Sequence, residues 1–199
     1  MKHLRYLLLA VILLPMSVAV SSCSDNSESE EEYANWQQTN EAKVTEWAAN
    51  GSLMKIKSYT KDPATEGKNL DYIYVEVLEE GKGDQTPLFT DTVRVAYRGR
   101  LLPSKSYADG FPFDENFKGS FAWNRADVTD FTPASLVDGF ATAVMSMRKG
   151  DYWRVHIPYS LGYGTAGSSN IPAYSDLVFE IAMFDFWSPG EDKPDFKTR

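Results

Sequence analysis

Tyr163 and Ile171 are the side chains of this sequence best placed to touch a ligand. They lie in Ile157-Pro158-Tyr159-Ser160-Leu161-Gly162-Tyr163-Gly164, followed by a small polar loop, Ile171-Pro172 and then Asp176-Leu177-Val178-Phe179-Glu180-Ile181. Pro158 has no N–H to give and stops a strand, while the two glycines around Tyr163 relax the backbone there. Loops beside a sheet are where proteins present ligand-touching groups, although a plain hairpin in any antiparallel domain carries the same punctuation. The chemistry on offer is contact rather than bond-making. His156 lies on a strand between Val155 and Ile157 and reads as a cross-strand residue, and no nucleophile stands at a recognisable spacing from it. Cys23 is the only cysteine, so the chain lacks the donors of a transition-metal site. The glycines near residue 164 lack the Lys-Ser/Thr of a phosphate loop. Neither metal nor cofactor is expected.

The elements that must hold these loops can be read from periodicity. Residues 70–78, 92–98 and 151–157 alternate as strands, and Leu177 to Phe186 turns Leu177, Phe179, Ile181 and Met183 to one face, with Val178 and Phe184 on the other. A helix is expected between Thr132 and Met147, started by Pro133 or capped by Asp138, with Leu136, Phe140, Val144 and Met147 on its sheet-facing side. Upstream, Tyr33, Trp36, Asn40, Val44 and Trp47 mark an aromatic stripe on a helix from Tyr33 to Asn50, stopped by Gly51. That stripe needs a partner, either the downstream domain or a second copy. Residues 52–69 read as an arm with a short strand. With 43% hydrophobic and 14% aromatic residues in 199, the composition suits one packed domain with extensions and excludes disorder for most of the chain.

Several blocks of the sequence, in order, resemble the FKBP-type peptidyl-prolyl isomerases, the macrolide-binding immunophilins. They are Val75–Gly83, Asp91–Gly99 with Tyr97, the pair Phe113-Asp114, Leu136–Phe140, Met147–Asp151 and the Tyr163–Ile181 region, together covering roughly residues 70–187. The resemblance implies an α+β fold, an FKBP-like antiparallel sheet wrapped around one short helix, here with an N-terminal helical extension. It implies a pocket in which Tyr97, Asp114 and Tyr163 act on the peptide bond, while Phe113, Leu136, Val137, Phe140, Ile171 and Phe179 bind substrate. Phe140 stands where the family usually has tryptophan. On residue type alone, Tyr97 and Phe179 also suit a core and Asp114 a turn cap. The stretch from Pro103 to Phe131 is longer than the family norm and carries Tyr107, Phe111, Phe113, Phe117, Phe121, Trp123 and Phe131. These aromatics either pack over a sheet edge or lengthen a wall of the groove. The implied partners are proline-containing polypeptides and macrolide ligands; a non-catalytic peptide- or partner-binding module is the alternative.

The N-terminus reads as an address. Lys2 and Arg5 precede an apolar run from Leu7 to Ala19, too short for the roughly 20 residues of a permanent span. Val20-Ser21-Ser22-Cys23 resembles a bacterial lipobox, which makes residues 1–22 a lipoprotein signal peptide and Cys23 the lipidated residue; an ordinary secretory signal is the alternative. Residues 23–32 form an acidic tether, 33–69 the helix and arm, 70–187 the FKBP-like domain and 188–199 a polar, loose tail. The expected location is the bacterial cell envelope, on the outer membrane, facing the periplasm or the surface. Loss of Lys2 and Arg5 leaves 18 of 20 basic residues against 28 acidic ones, net −10. That balance argues against nucleic acid and against an anionic lipid surface as partners, leaving the lipid as the membrane link. Oligomeric state is not legible.

Overall fold

The computed structural model describes residues 31–196. Cys23, the leader and most of the acidic tether fall outside these residues. Helix α1 runs from Trp36 to Ala49. It begins later than its stripe suggests because Asn35 takes a left-handed conformation (φ 55°), which asparagine tolerates better than most residues. Tyr33 therefore lies outside the helix, yet its ring meets Trp36 edge-on at 4.9 Å. Trp36, Asn40, Val44 and Trp47 are the buried face.

Seven strands follow: β1 (Met54–Lys57), β2 (Tyr72–Glu79), β3 (Thr92–Leu101), β4 (Pro112–Glu115), β5 (Thr129–Phe131), β6 (Tyr152–Ile157) and β7 (Leu177–Trp187), with helix α2 (Asp138–Ser146) between β5 and β6. All pairings are antiparallel. The order is β1-β2-β6-β7-β3-β4, and β5 pairs with β3. This is the expected α+β architecture. β1 is the arm, added as an edge strand beside β2.

Alternation divides the sheet into two faces. The inner face carries Val95, Tyr97, Val155, Ile157, Phe179 and Ile181, all buried, and α2 lies across it. The helix can approach because residue 139 is glycine: a Cβ there would stand 2.2 Å from Ile157 Cγ2. Phe184 stays on the outer face with Val178, and a bulge between β3 and β7, opposite Arg94 and Val95, returns Phe186 to the inner core.

The outer face is covered in two places. At one end Trp47 of α1 packs on Tyr74 and His156, with ring centroids 6.2 and 4.8 Å apart. At the other, Phe117, Phe121 and Trp123 pack over Ala96 and Ala182. Between them runs an ionic ladder: Arg98 to Glu180 at 2.5 Å, Arg154 to Glu180 at 3.0 Å and Arg154 to Glu76 at 2.7 Å. Burial works against the Glu180 carboxylate, but hydrogen bonds from Arg98 and Arg154 hold its pKa below the ordinary value.

Two expectations are corrected. The region from Thr132 to Met147 is not one helix; a 3-10 turn at Pro133–Ser135 precedes α2, broken by extended torsions at Leu136 and Val137. Val137 occupies the cap position, so Asp138 is the first helical residue and its carboxylate accepts from Thr60 Oγ1 at 3.1 Å. The tail is not loose through residue 196: Phe196 packs on Phe184 at 5.4 Å, and Arg94 Nη1 donates to the Pro194 carbonyl at 2.7 Å.

Candidate active site

Four strands and one helix bring the pocket residues together. Tyr97 points inward from β3, Phe179 from the neighbouring β7, and Gly99 and Phe179 are register partners. Gly99 is a packing requirement, since a Cβ there would lie 2.5 Å from Phe179 Cε1 and 2.6 Å from Phe113 Cζ. Phe140, 4% exposed at the start of α2, is the floor. Its ring stands perpendicular to Phe179 (4.8 Å, 89°) and to Tyr97 (6.0 Å, 89°), and Phe113 meets Phe179 in the same way (5.4 Å, 87°). Edge-to-face contacts of this kind are favourable between ring quadrupoles. They also build walls at right angles instead of a filled stack.

Phe131 completes the box. Its ring is 5.5 Å from Tyr97 and 6.4 Å from Phe140. Sequence reasoning did not assign it, because the loop of uncertain length before it hides its alignment; its position as register partner of Val93 on β5 supplies the missing information. Leu136 and Val137 lie half-buried in the extended link before α2. Ile171 is 6% exposed and Tyr163 is 38% exposed, both in the loop between β6 and β7.

The box has one polar pair at its rim. Tyr97 Oη donates to Asp114 Oδ2 at 2.8 Å. Burial of the phenol, the hydrogen bond to Asp114 and the carboxylate's charge together push the Tyr97 pKa well above the ordinary tyrosine range, so this group remains a donor at physiological pH. Tyr163 is shifted upward too, by burial and by the charge of Asp114. A second missed residue, Asn116, fixes the frame. Its Oδ1 accepts from Tyr97 N–H at 2.8 Å, while Nδ2 donates to the Val95 carbonyl and to Thr129 Oγ1, both at 3.1 Å. One amide thereby ties β3 to the start of β5 beside the β4 strand that carries Asp114.

The aromatic-rich stretch from Pro103 to Phe131 divides between both expected roles. Phe113 and Phe131 wall the pocket, whereas Phe117, Phe121 and Trp123 cover the outer face. A wide opening of about 870 Å³ in the loop from Glu115 to Thr129 is lined by Lys118, Ser120, Arg125 and Asp127 among others; it has none of the aromatic box residues. His156 is half-buried beneath Trp47 and paired with Val178. Burial, with Arg154 and Lys43 nearby, lowers its pKa to about 4, and it takes no part in the box.

Comparison with known proteins places this geometry in a family. A family model described as FKBP-type peptidyl-prolyl cis-trans isomerase matches residues 83–184. The chain is 28% identical over 191 residues to a protein named macrophage infectivity potentiator from Trypanosoma cruzi, covering 96% of this chain and 86% of that one. It is 30% identical over 129 residues to FkpA, an FKBP-type peptidyl-prolyl cis-trans isomerase of Escherichia coli, covering 65% of this chain but only 43% of FkpA. The fold is similar to a peptidyl-prolyl cis-trans isomerase of Pseudomonas syringae, with a TM-score of 0.57 at 22% identity, covering 77% of this chain and 95% of that one. With more than half of its length matched by the family model, and with the fold to match, the chain belongs to the FKBP-type peptidyl-prolyl cis-trans isomerases.

Proposed function

We propose that this chain rotates X-Pro peptide bonds of exported polypeptides without covalent chemistry, in the box formed by Tyr97, Phe113, Phe131, Phe140 and Phe179. The observation that carries this reading is a perpendicular aromatic enclosure with a single phenol–carboxylate pair at its rim. Rotation about a peptide bond meets a barrier of roughly 18–20 kcal/mol because resonance keeps the amide planar. The twisted transition state has lost much of that charge separation. An apolar enclosure therefore disfavours the planar ground state more than the twisted one, and a hydrogen bond aimed at the twisted geometry adds differential binding. Proline fits because its ring is apolar and its amide is tertiary, with a small trans preference. In this reading Phe140 supports the ring, Tyr163 holds a substrate carbonyl, Ile171 contributes apolar surface while its N–H stays on the Ser168 carbonyl at 2.9 Å, and Asp114 orients Tyr97. Macrolide ligands would compete for the same box.

The test is NMR exchange spectroscopy on X-Pro peptides varied at the residue before proline. Acceleration over the uncatalysed tens to hundreds of seconds is expected; a folded protein that accelerates none of them overturns the isomerase reading. One departure favours a second reading. Phenylalanine at the floor fills less space than the family's tryptophan and has no indole N–H, as befits a module that binds proline peptides without turning them over. Binding without acceleration in the same sample would select it.

Anchoring follows from Cys23, the one cysteine, preceded by small residues. The proposal is a lipid at Cys23 and residence on the outer membrane of the envelope. Mass spectrometry should find an acylated Cys23, and Cys23→Ser should release the protein from membranes; full membrane retention of that variant would defeat the idea.

A further inference from the structure

The loop from Pro158 to Asp176 carries Tyr163 and Ile171, and its base is fastened to the N-terminal helix. Asp176 N–H donates to Asn40 Oδ1 at 2.7 Å, and Asn40 Nδ2 donates to the Trp36 carbonyl at 2.7 Å, so this fully buried amide is satisfied at both ends. Trp36 Nε1 donates to Ser175 Oγ at 2.7 Å, and Ser175 Oγ donates onward to the Pro172 carbonyl at 2.8 Å. Tyr159 Oη reaches Glu41 Oε1 at 3.3 Å. From this base the restraint passes inward through backbone bonds. Tyr174 N–H donates to the Gly164 carbonyl at 3.0 Å, and Gly164 N–H to the Tyr159 carbonyl at 2.8 Å, so both bonds fix the residue that follows Tyr163. Ser168 and Ile171 exchange bonds of 2.8 and 2.9 Å. Tyr174 is held at φ 62°, a conformation that costs a bulky residue energy and persists only where its neighbours fix it. Those neighbours are Ser175 and Asp176, the two residues that α1 grips.

We propose that α1 is a positioning element of the substrate site, with Asn40 and Trp36 acting through Asp176 and Ser175 to hold the loop that presents Tyr163 and Ile171. The inference rests on reading the box as the proline-peptide site, and the helix supplies its own control. Trp47, near the other end of α1, packs on Tyr74 and His156 of the outer face. Weakening that contact loosens the helix without touching the loop base.

Asn40→Ala and Trp47→Leu are compared in the full mature chain, at a temperature where both are folded. Three quantities are read: thermal midpoint, affinity for a proline tetrapeptide, and amide hydrogen exchange at Gly164, Ser168, Ile171 and Tyr174. Both variants lower the midpoint. Asn40→Ala alone should weaken the peptide by about tenfold, the size of effect of one buried hydrogen bond, and speed exchange at those four amides. Trp47→Leu should leave both within about twofold. Affinity and exchange that instead track the midpoint equally in the two variants would reduce α1 to a general stabiliser and overturn the proposal. If the wild type binds no proline peptide, the function reading fails, and the four amides alone decide whether α1 holds the loop. If Asn40→Ala does not fold, Trp36→Phe, which removes the indole N–H to Ser175, replaces it in the same comparison.

Discussion

Two aromatic clusters sit back to back on this sheet, and they have opposite characters. On the inner face Tyr97, Phe113, Phe131, Phe140 and Phe179 meet edge to face, three of their contacts within a few degrees of perpendicular. On the outer face Phe121 stacks on Tyr152 at 4.4 Å and 30°, while Phe117 and Trp123 meet Phe121 edge-on at 67° and 78°. The strand residues beneath explain much of the difference. Ala96 and Ala182 are small, so outer rings can settle onto the sheet and close over it. On the inner side the strands themselves contribute Tyr97 and Phe179, leaving rings as walls. Aromatic content alone thus says nothing about binding; the size of what lies under the rings separates a pocket from a patch.

The largest test of that contrast removes the floor. Phe140→Ala should cost about 3–5 kcal/mol of stability, as buried Phe truncations do, and abolish proline-peptide binding in whatever fraction stays folded. Urea unfolding with parallel titration measures both. Phe117→Ala, equally apolar and 7% exposed on the outer face, should cost about 3 kcal/mol with peptide affinity unchanged. Equal loss of affinity in the two variants would erase the distinction between clusters.

A smaller effect is expected at the rim. Tyr163→Phe removes one hydroxyl and should slow X-Pro exchange by about 1–3 kcal/mol in barrier terms while the unfolding midpoint holds. A change confined to ground-state peptide affinity would assign Tyr163 to binding alone.

The smallest expected effect concerns pH and the seam between α1 and the pocket loop. Burial raises the Asp176 pKa to about 8; the Tyr159 N–H opposes this and Glu41 adds to it. A carboxyl raised in the folded state stabilises fully below its unfolded value of about 4 and loses that contribution as pH climbs toward 8. His156, lowered to about 4, works the other way, its contribution present above about 6.5 and lost as pH falls toward 4. The two offset each other between pH 4 and 6.5, so stability should decline between pH 6.5 and 8 by at most about 2 kcal/mol. Asp176→Asn should flatten that decline, as chemical denaturation at pH 6.5, 7.2 and 8 would reveal.

The four long strands were legible from alternation and the neighbourhood of α2 from its apolar face, while the residues that meet in the box came from the family resemblance carried by ordered blocks such as the Phe-Asp pair. What stayed hidden depends on geometry that spacing does not carry. Phe131 was left out because its place depends on the length of the loop before β5. Asn116 gives no pattern at all; its value lies in tying β3 to β5 from its place just after β4. The helix boundary at Val137 was missed because Pro133 and Asp138 both offer plausible starts and only the backbone torsions choose. Phe196 looked like part of a polar tail because nothing in its spacing points to Phe184, the outer-face ring on which it packs.

The first described residues have a mechanical consequence. Glu32 accepts from Ser104 Oγ and from both the backbone and hydroxyl of Ser106, and Glu31 pairs with Lys105 at 3.1 Å. A pull on the chain at residue 31 therefore loads the loop between β3 and β4 before it loads α1. These contacts are exposed or only part-buried and act as a strain relief, parting ahead of the buried Asn40–Asp176 bond. Tension along the N-terminal segment would reach the loop bearing Tyr163 only after that clasp had opened.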